Sequence, residues 1–272
     1  MEILDVVLDN KGENFNCHFE IPEYSGETII SLLYNDDLIH EGFYKNYKEG
    51  LVFFMSHFFL DSYKTGDIKI VKDYFGHKGK EENNLFYIHP TKCGGSSIEQ
   101  IGYEYGVRWG RWEIPKYDYH LPSNYFINLP NIKNKTLFTS VRNPYNRLIS
   151  SVYCPYMSIF EKRSNKELDI KEFNEYLKIR IEKEFLLYDF VYHNNKKVIP
   201  HVLKQENLTE EFNKLMFDYN SQIRMNKIYN KSNSYYSYPK FGVEDINKEN
   251  LKSINTKFEK DFVYFGYEMI NY

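Results

Sequence analysis

Little in this sequence suits an oxidising compartment. Its three cysteines, Cys17, Cys93 and Cys154, form no even framework and have no metal-ligand spacing, so neither a disulfide scaffold nor a metal site is expected. The N-terminal Met1-Glu2-Ile3-Leu4-Asp5 lacks the basic region and apolar core of a secretory signal. No run of about 18 apolar residues exists, so no membrane span is expected. Charge of one sign is also lacking: 35 Lys and Arg against 38 Asp and Glu leave a net charge of −3. An overall basic footprint for nucleic acid is thereby excluded, although a local basic cleft is not. These absences lead us to expect a cytoplasmic or otherwise soluble protein with no nucleic-acid partner; they leave its oligomeric state open.

What is present is aromatic. The 26 Tyr and 21 Phe raise aromatic content to 18%, and many Tyr must sit half-buried with their hydroxyls wet or paired. With 272 residues, 42% of them hydrophobic, the chain can bury one large core or two modest ones. Two compositions succeed each other. From residue 1 to about 80, short apolar runs (Ile3 to Leu8, Phe15 to Ile21, Thr28 to Tyr34, Leu38 to Tyr44, Leu51 to Phe59, Asp67 to Val71) alternate with turn residues such as Ser25-Gly26 and Asn35-Asp36-Asp37. That spacing leads us to expect a small all-β, sandwich-like accessory domain over 1–80. A charged, glycine-containing linker, Gly76 to Asn84, leads into a second domain over 81–272.

The second domain opens on Leu85-Phe86-Tyr87-Ile88, a buried strand, then His89-Pro90-Thr91-Lys92-Cys93-Gly94-Gly95, then Ser96 and Ser97 opening a helix to about Tyr103. Strand, glycine turn and helix N-terminus together can hold a phosphate, because first-turn N–H groups lack intrahelical partners and the helix dipole favours an anion. The nucleotide-triphosphate loop G-x-x-x-x-G-K-[ST] does not match, since Lys92 precedes the glycines. A second strand, Thr136 to Val141, is followed by Arg142-Asn143-Pro144-Tyr145-Asn146-Arg147-Leu148-Ile149-Ser150. Here Asn143 can cap a helix and Pro144 suits its first position. Between the two lie Trp109-Gly110-Arg111-Trp112, fit either to bind a sugar or anion or to anchor a loop, and His120, two residues before Pro122. A neutral imidazole at His120 could accept a proton near neutral pH, or simply bond a backbone carbonyl.

These motifs resemble those of sulfotransferases that use 3′-phosphoadenosine 5′-phosphosulfate (PAPS), in the carbohydrate (Golgi-type, 2-O-sulfotransferase-like) branch. The first resembles H-I-P-K-T-G-G-T-S, departing at Thr91, where Pro is usual, and Cys93, where Thr is usual. The second resembles R-[DN]-P-Y-x-R-L-x-S. Weaker likenesses are Glu206-Asn207-Leu208, Asn230-Lys231-Ser232 and Phe265-Gly266-Tyr267, so the resemblance runs from about residue 84 to the C-terminus. It implies an α/β, P-loop-like three-layer domain with a central parallel sheet. It further implies that Lys92, Cys93, Gly94, Gly95, Ser96 and Ser97 hold the 5′-phosphosulfate, with Lys92 also catalytic. Arg142 and Ser150 would hold the 3′-phosphate, Lys231 would lie near the nucleotide, and His120 would be the base. The acceptor would be a hydroxyl of a glycan or small molecule, and no metal would take part. Golgi members of that family usually carry a membrane anchor; residues 1–272 hold no such segment, which leads us to expect either a soluble enzyme or a chain trimmed of its anchor. A non-catalytic nucleotide- or glycan-binding protein on the same scaffold, or a P-loop nucleotide kinase, are the alternatives.

Overall fold

The computed structural model describes residues 84–110, 120–130, 132–154, 167–226 and 240–271 with their side chains, and before them the backbone of seven strands. The chain divides into two units, Met1–Gly76 and His77–Tyr272.

The first unit contains β1 (Glu2–Leu4), β2 (Val7–Lys11), β3 (Asn14–Phe19), β4 (Tyr24–Tyr34), β5 (Asp37–Tyr47), β6 (Leu51–Phe54) and β7 (Ile68–Lys72). They make two antiparallel sheets, β1-β7-β4-β5 and β2-β3-β6. The apolar run from Ile3 to Leu8 is not one strand: β1 pairs with β7 and β2 with β3, in different sheets. Ser25-Gly26, expected as a turn, lies inside β4, where the β4–β5 register shifts between Tyr24 and Glu27. A glycine inside a strand commonly marks such a bulge.

The second unit is a mixed α/β domain. Its parallel sheet has the order β8-β9-β12, with β8 at Leu85–Ile88, β9 at Thr136–Val141 and β12 at His201–Lys204. A hairpin, β10 (Tyr192–His193) and β11 (Lys196–Lys197), forms a separate antiparallel pair. All four residues of β8 are buried, as expected of a parallel strand covered on both faces. Its polar group is matched within the sheet: the Tyr87 and Ser140 hydroxyls bond at 2.6 Å.

Three helices start where the local sequence supplies an acceptor: Asn143, Asp169 and Asn247 cap the helices that follow them. The Asn143 carboxamide accepts the N–H groups of Tyr145 and Asn146 to open α2 (Pro144–Val152), which follows α1 (Gly95–Glu104). Asp169 and Glu172 form a reciprocal capping box on α3 (Ile170–Lys183). The short α4 (Leu187–Val191) is capped from afar: Asp261 accepts the N–H groups of Leu187 and Tyr188 at 2.9 and 2.7 Å. Burial pushes the Asp261 carboxyl up to about 6. Next come α5 (Leu208–Asp218), α6 (Lys248–Lys257) and α7 (Glu259–Phe265), which Gly266 ends in a left-handed conformation, φ 66°. One apolar cluster joins the sheet to α1, α4 and α5, including Ile88, Ile98, Phe138, Phe190 and Phe212. Another joins α2, α3, α6 and α7, including Leu148, Phe173, Leu177, Ile254 and Phe262.

Trp109 belongs to the first cluster. It is fully buried, its indole N–H donates to the Leu85 carbonyl at 3.0 Å, and its ring meets Phe138 and Phe212 edge-on. Of the two roles open to it from sequence, the structure gives it that of a hydrophobic anchor. Its neighbours Arg111 and Trp112 lie outside the described residues, as do most of the linker and Asn230, Lys231 and Ser232.

Candidate anion-binding site

The three parallel strands all end at the same edge of the sheet. There β8 runs into His89–Gly94, β9 into Arg142, and β12 into the turn Gln205–Asn207. Ligands of open α/β sheets bind beyond such strand ends.

The loop after β8 is wound tightly. Lys92 has φ 62° and Gly94 φ 86°, two left-handed positions within three residues. For a lysine that conformation costs about 1–2 kcal/mol, so the surroundings must hold it. Two arginines do so. The Arg142 guanidinium donates through Nη1 to the Lys92 carbonyl at 3.2 Å, and Arg147 donates through Nε to the Thr91 carbonyl at 3.1 Å.

Arg147 is only 1% exposed and uses its whole fork. Besides the Thr91 carbonyl, it donates to the Thr91 hydroxyl (2.9 Å), the Phe185 carbonyl (2.7 Å) and Glu184 Oε2 (2.9 Å). The Thr91 hydroxyl in turn donates to Glu184 Oε2 at 2.6 Å, and Ser151 donates to Oε1 at 2.7 Å. Thr91 is thus bonded through both its carbonyl and its hydroxyl. Burial alone would raise the Glu184 carboxyl, but Arg147 and the two hydroxyls outweigh it and hold it below its ordinary value.

Both glycines have packing reasons to be glycine. A Cβ on Gly94 would lie 2.7 Å from the Leu208 side chain, and one on Gly95 would lie 2.2 Å from the His89 ring. That ring cannot easily retreat, since its Nδ1 is 2.7 Å from Glu99 Oε1, with both residues buried. Gly95→Ala is therefore expected to cost about 1–3 kcal/mol through overpacking. A urea-unfolding midpoint unchanged from that of the native chain would contradict this.

The expected ligands of an anion fall as follows. Gly94 and Gly95 open α1, with Ser96 half-buried and Ser97 buried in its first turn. Cys93 points into the core: it is fully buried, its Sγ donates to the Thr91 carbonyl at 3.4 Å, and burial pushes its thiol up to about 12. What it can offer an anion is its backbone N–H, not a thiolate. Arg142 has a buried Nε without a hydrogen-bond partner among the described residues, and burial lowers its proton affinity. Ser150 lies on α2 and is mostly buried. A cation not singled out from sequence, Lys240, belongs here too. Its ammonium lies 5.5 Å over the Tyr153 ring, and its proton affinity is depressed by burial and then by the Lys92 ammonium.

His120 lies beside the loop. Its ring meets the His89 ring edge-on at 4.4 Å, and its Nδ1 is 3.0 Å from the His89 carbonyl. A carbonyl only accepts, so Nδ1 carries the proton and neutral His120 has its lone pair on Nε2. Glu206 has a structural role. It accepts the Asn143 N–H at 2.8 Å and the Tyr267 hydroxyl at 2.9 Å, tying the Gly266-Tyr267 segment to the start of α2. Lys231 lies outside the described residues. Among the described residues, no three His, Cys, Asp or Glu side chains gather as a metal site would require, and no helix is long and apolar enough to cross a membrane.

The partners Thr91, Glu184 and Lys240 were not visible from sequence as a group. Glu184 is 37 residues from Arg147, and only folding brings it there. Compared with family models, with curated proteins and with solved structures, the chain matches none.

Proposed function

We propose that this chain is a PAPS-dependent sulfotransferase that moves a sulfuryl group to an acceptor hydroxyl, most simply one on a carbohydrate. The observation that carries the reading is the meeting of its two motifs at one sheet edge: Arg142 bonds the carbonyl of Lys92 and keeps a buried Nε unsatisfied. A buried guanidinium donor left without a partner costs free energy unless something else meets it. A phosphate would do so. The resemblance of both motifs to those of sulfotransferases supports the same ligand.

The donor would supply an activated sulfuryl group. In this reading the N–H groups from Cys93 to Ser97 and the Lys92 ammonium hold its 5′ end, and Arg142 with Ser150 holds its 3′-phosphate. His120 Nε2 takes the acceptor proton as the new S–O bond forms and the bond from sulfur to the bridging oxygen breaks. Lys92 meets the charge left on that oxygen, a preorganised electrostatic role.

A non-catalytic scaffold is favoured by one observation, since packing accounts for both glycines without any ligand. Arg142→Ala tests the assignment of the 3′ site. It is expected to weaken binding of 3′-phosphoadenosine 5′-phosphate about tenfold to a hundredfold, the worth of one charged hydrogen-bonding group. Binding of adenosine 5′-phosphosulfate, which has no 3′-phosphate, should change far less. Equal losses for the two nucleotides would remove Arg142 from the 3′ site.

A further inference from the structure

An open groove of about 500 Å³ lies against α4, its lining including Pro122, Tyr125, Phe185, Tyr188 and Tyr192. Two of its lining residues are close in sequence to residues of the candidate site. Pro122 follows His120 by two residues, and Phe185 follows Glu184, the carboxylate that fixes Thr91. Phe185 also accepts a hydrogen bond from Arg147 through its carbonyl.

The lining is unusual for a solvent-facing surface. Tyr125 is 59% exposed and Phe185 46%. Behind them Tyr188 and Tyr192 stack nearly parallel, 4.7 Å apart, with Tyr264 set against both at a steep angle. At the rim, the hairpin tip Asn194-Asn195 holds both residues left-handed, φ 49° and 59°, a conformation asparagine tolerates better than most residues. The Asn195 carboxamide accepts the Tyr188 hydroxyl at 3.0 Å through Oδ1, which orients the amide and leaves its NH₂ to donate. The wall carries charges of opposite sign: the Lys260 ammonium sits 4.5 Å over the Tyr188 ring, and burial raises the Asp189 carboxyl, an effect that Lys260 offsets only in part.

We propose that this groove binds the acceptor, and that the acceptor is an uncharged oligosaccharide. The aromatic faces suit the weakly positive C–H face of a pyranose ring. A carboxamide and a carboxylate suit vicinal hydroxyls. The opposite charges of Asp189 and Lys260 give a polyanionic chain no net attraction. Few fixed polar groups among aromatic side chains is also the usual make-up of a small-ligand site. The proposal rests on the transfer reading for the word acceptor, but not for binding itself.

The test is saturation-transfer NMR on the whole chain with maltotriose, N-acetyllactosamine and 2-naphthol as probes, repeated on Tyr125→Ala and Phe185→Ser. Both side chains are exposed, so the variants should stay folded. We expect a saccharide to bind and its Kd to rise about tenfold in either variant, the worth of one aromatic contact. Binding of 3′-phosphoadenosine 5′-phosphate should be unchanged in both. No saccharide binding, binding untouched by both substitutions, or binding of 2-naphthol alone would overturn the proposal. Saccharide binding in a chain that does not bind the bisphosphate would support the groove and remove the sulfotransferase reading.

Discussion

Arg147→Ala is expected to destabilise the fold by about 3–5 kcal/mol, a large share of the roughly 5–15 kcal/mol that holds a domain together. The reason is not the strength of the Arg147–Glu184 pair, because a buried ion pair gains little over a well-packed apolar substitute. It is what the substitution leaves behind. Glu184 would keep two hydroxyl donors but lose the arginine that ion-pairs with it while still buried. The Phe185 carbonyl would lose its arginine donor, and the Thr91 carbonyl would keep only the weak Cys93 thiol donor. The loop that carries Lys92 at φ 62° would then lose one of its two arginine restraints, so nucleotide binding should fall with stability. Urea unfolding gives the first quantity and calorimetry the second.

The same carboxylate sets a pH dependence. Its folded proton affinity is below the ordinary value near 4.5, so its contribution is present above that pH and is lost as the pH falls through the lower folded value. In Arg147→Ala, burial dominates, and this acid-side loss should shrink or reverse. An Arg147→Ala chain with native stability and a native acid profile would mean that the clamp carries no energy.

His120→Ala is expected to lower turnover about a hundredfold or more, the scale of a lost general base, while binding of 3′-phosphoadenosine 5′-phosphate stays intact. The geometry on which this rests is the bond from His120 Nδ1 to the His89 carbonyl, which leaves Nε2 as the basic atom. A structural histidine would make the same bond. The two roles differ in their readout. Loss of a base flattens the acid limb of the rate profile with folding largely kept, whereas loss of a structural bond lowers the unfolding midpoint with kcat nearly unchanged. Turnover close to native in His120→Ala would pass proton removal to another group.

Local signals in the chain proved most legible where they act over a few residues. Asn143 and Pro144 announced α2, and the apolar runs Leu85–Ile88 and Thr136–Val141 became parallel strands. In the first unit, six alternating runs led to seven strands, because the Ile3–Leu8 run serves two sheets, and pairing across sheets has no local signal. The short α4 has no side-chain cap of its own, and its acceptor, Asp261, is more than 70 residues away. Trp109 shows the limit of composition: two Trp and two Arg close together suggest a binding loop, yet Trp109 fills the space over Gly102, where a Cβ would lie 2.6 Å from the indole. At the site, Lys92 and Arg142 could be named from their motifs. Thr91, Glu184 and Lys240 could not, because their roles depend on which distant elements the fold places against the loop.

The most direct test of the central claim is calorimetric titration of the whole protein with 3′-phosphoadenosine 5′-phosphate, beside a titration with ATP and magnesium. Micromolar binding of the bisphosphate, weakened in Arg142→Ala, with none of ATP, is the expected result. Binding of ATP alone would move the chain to a nucleotide kinase, and binding of neither would contradict the account at its base.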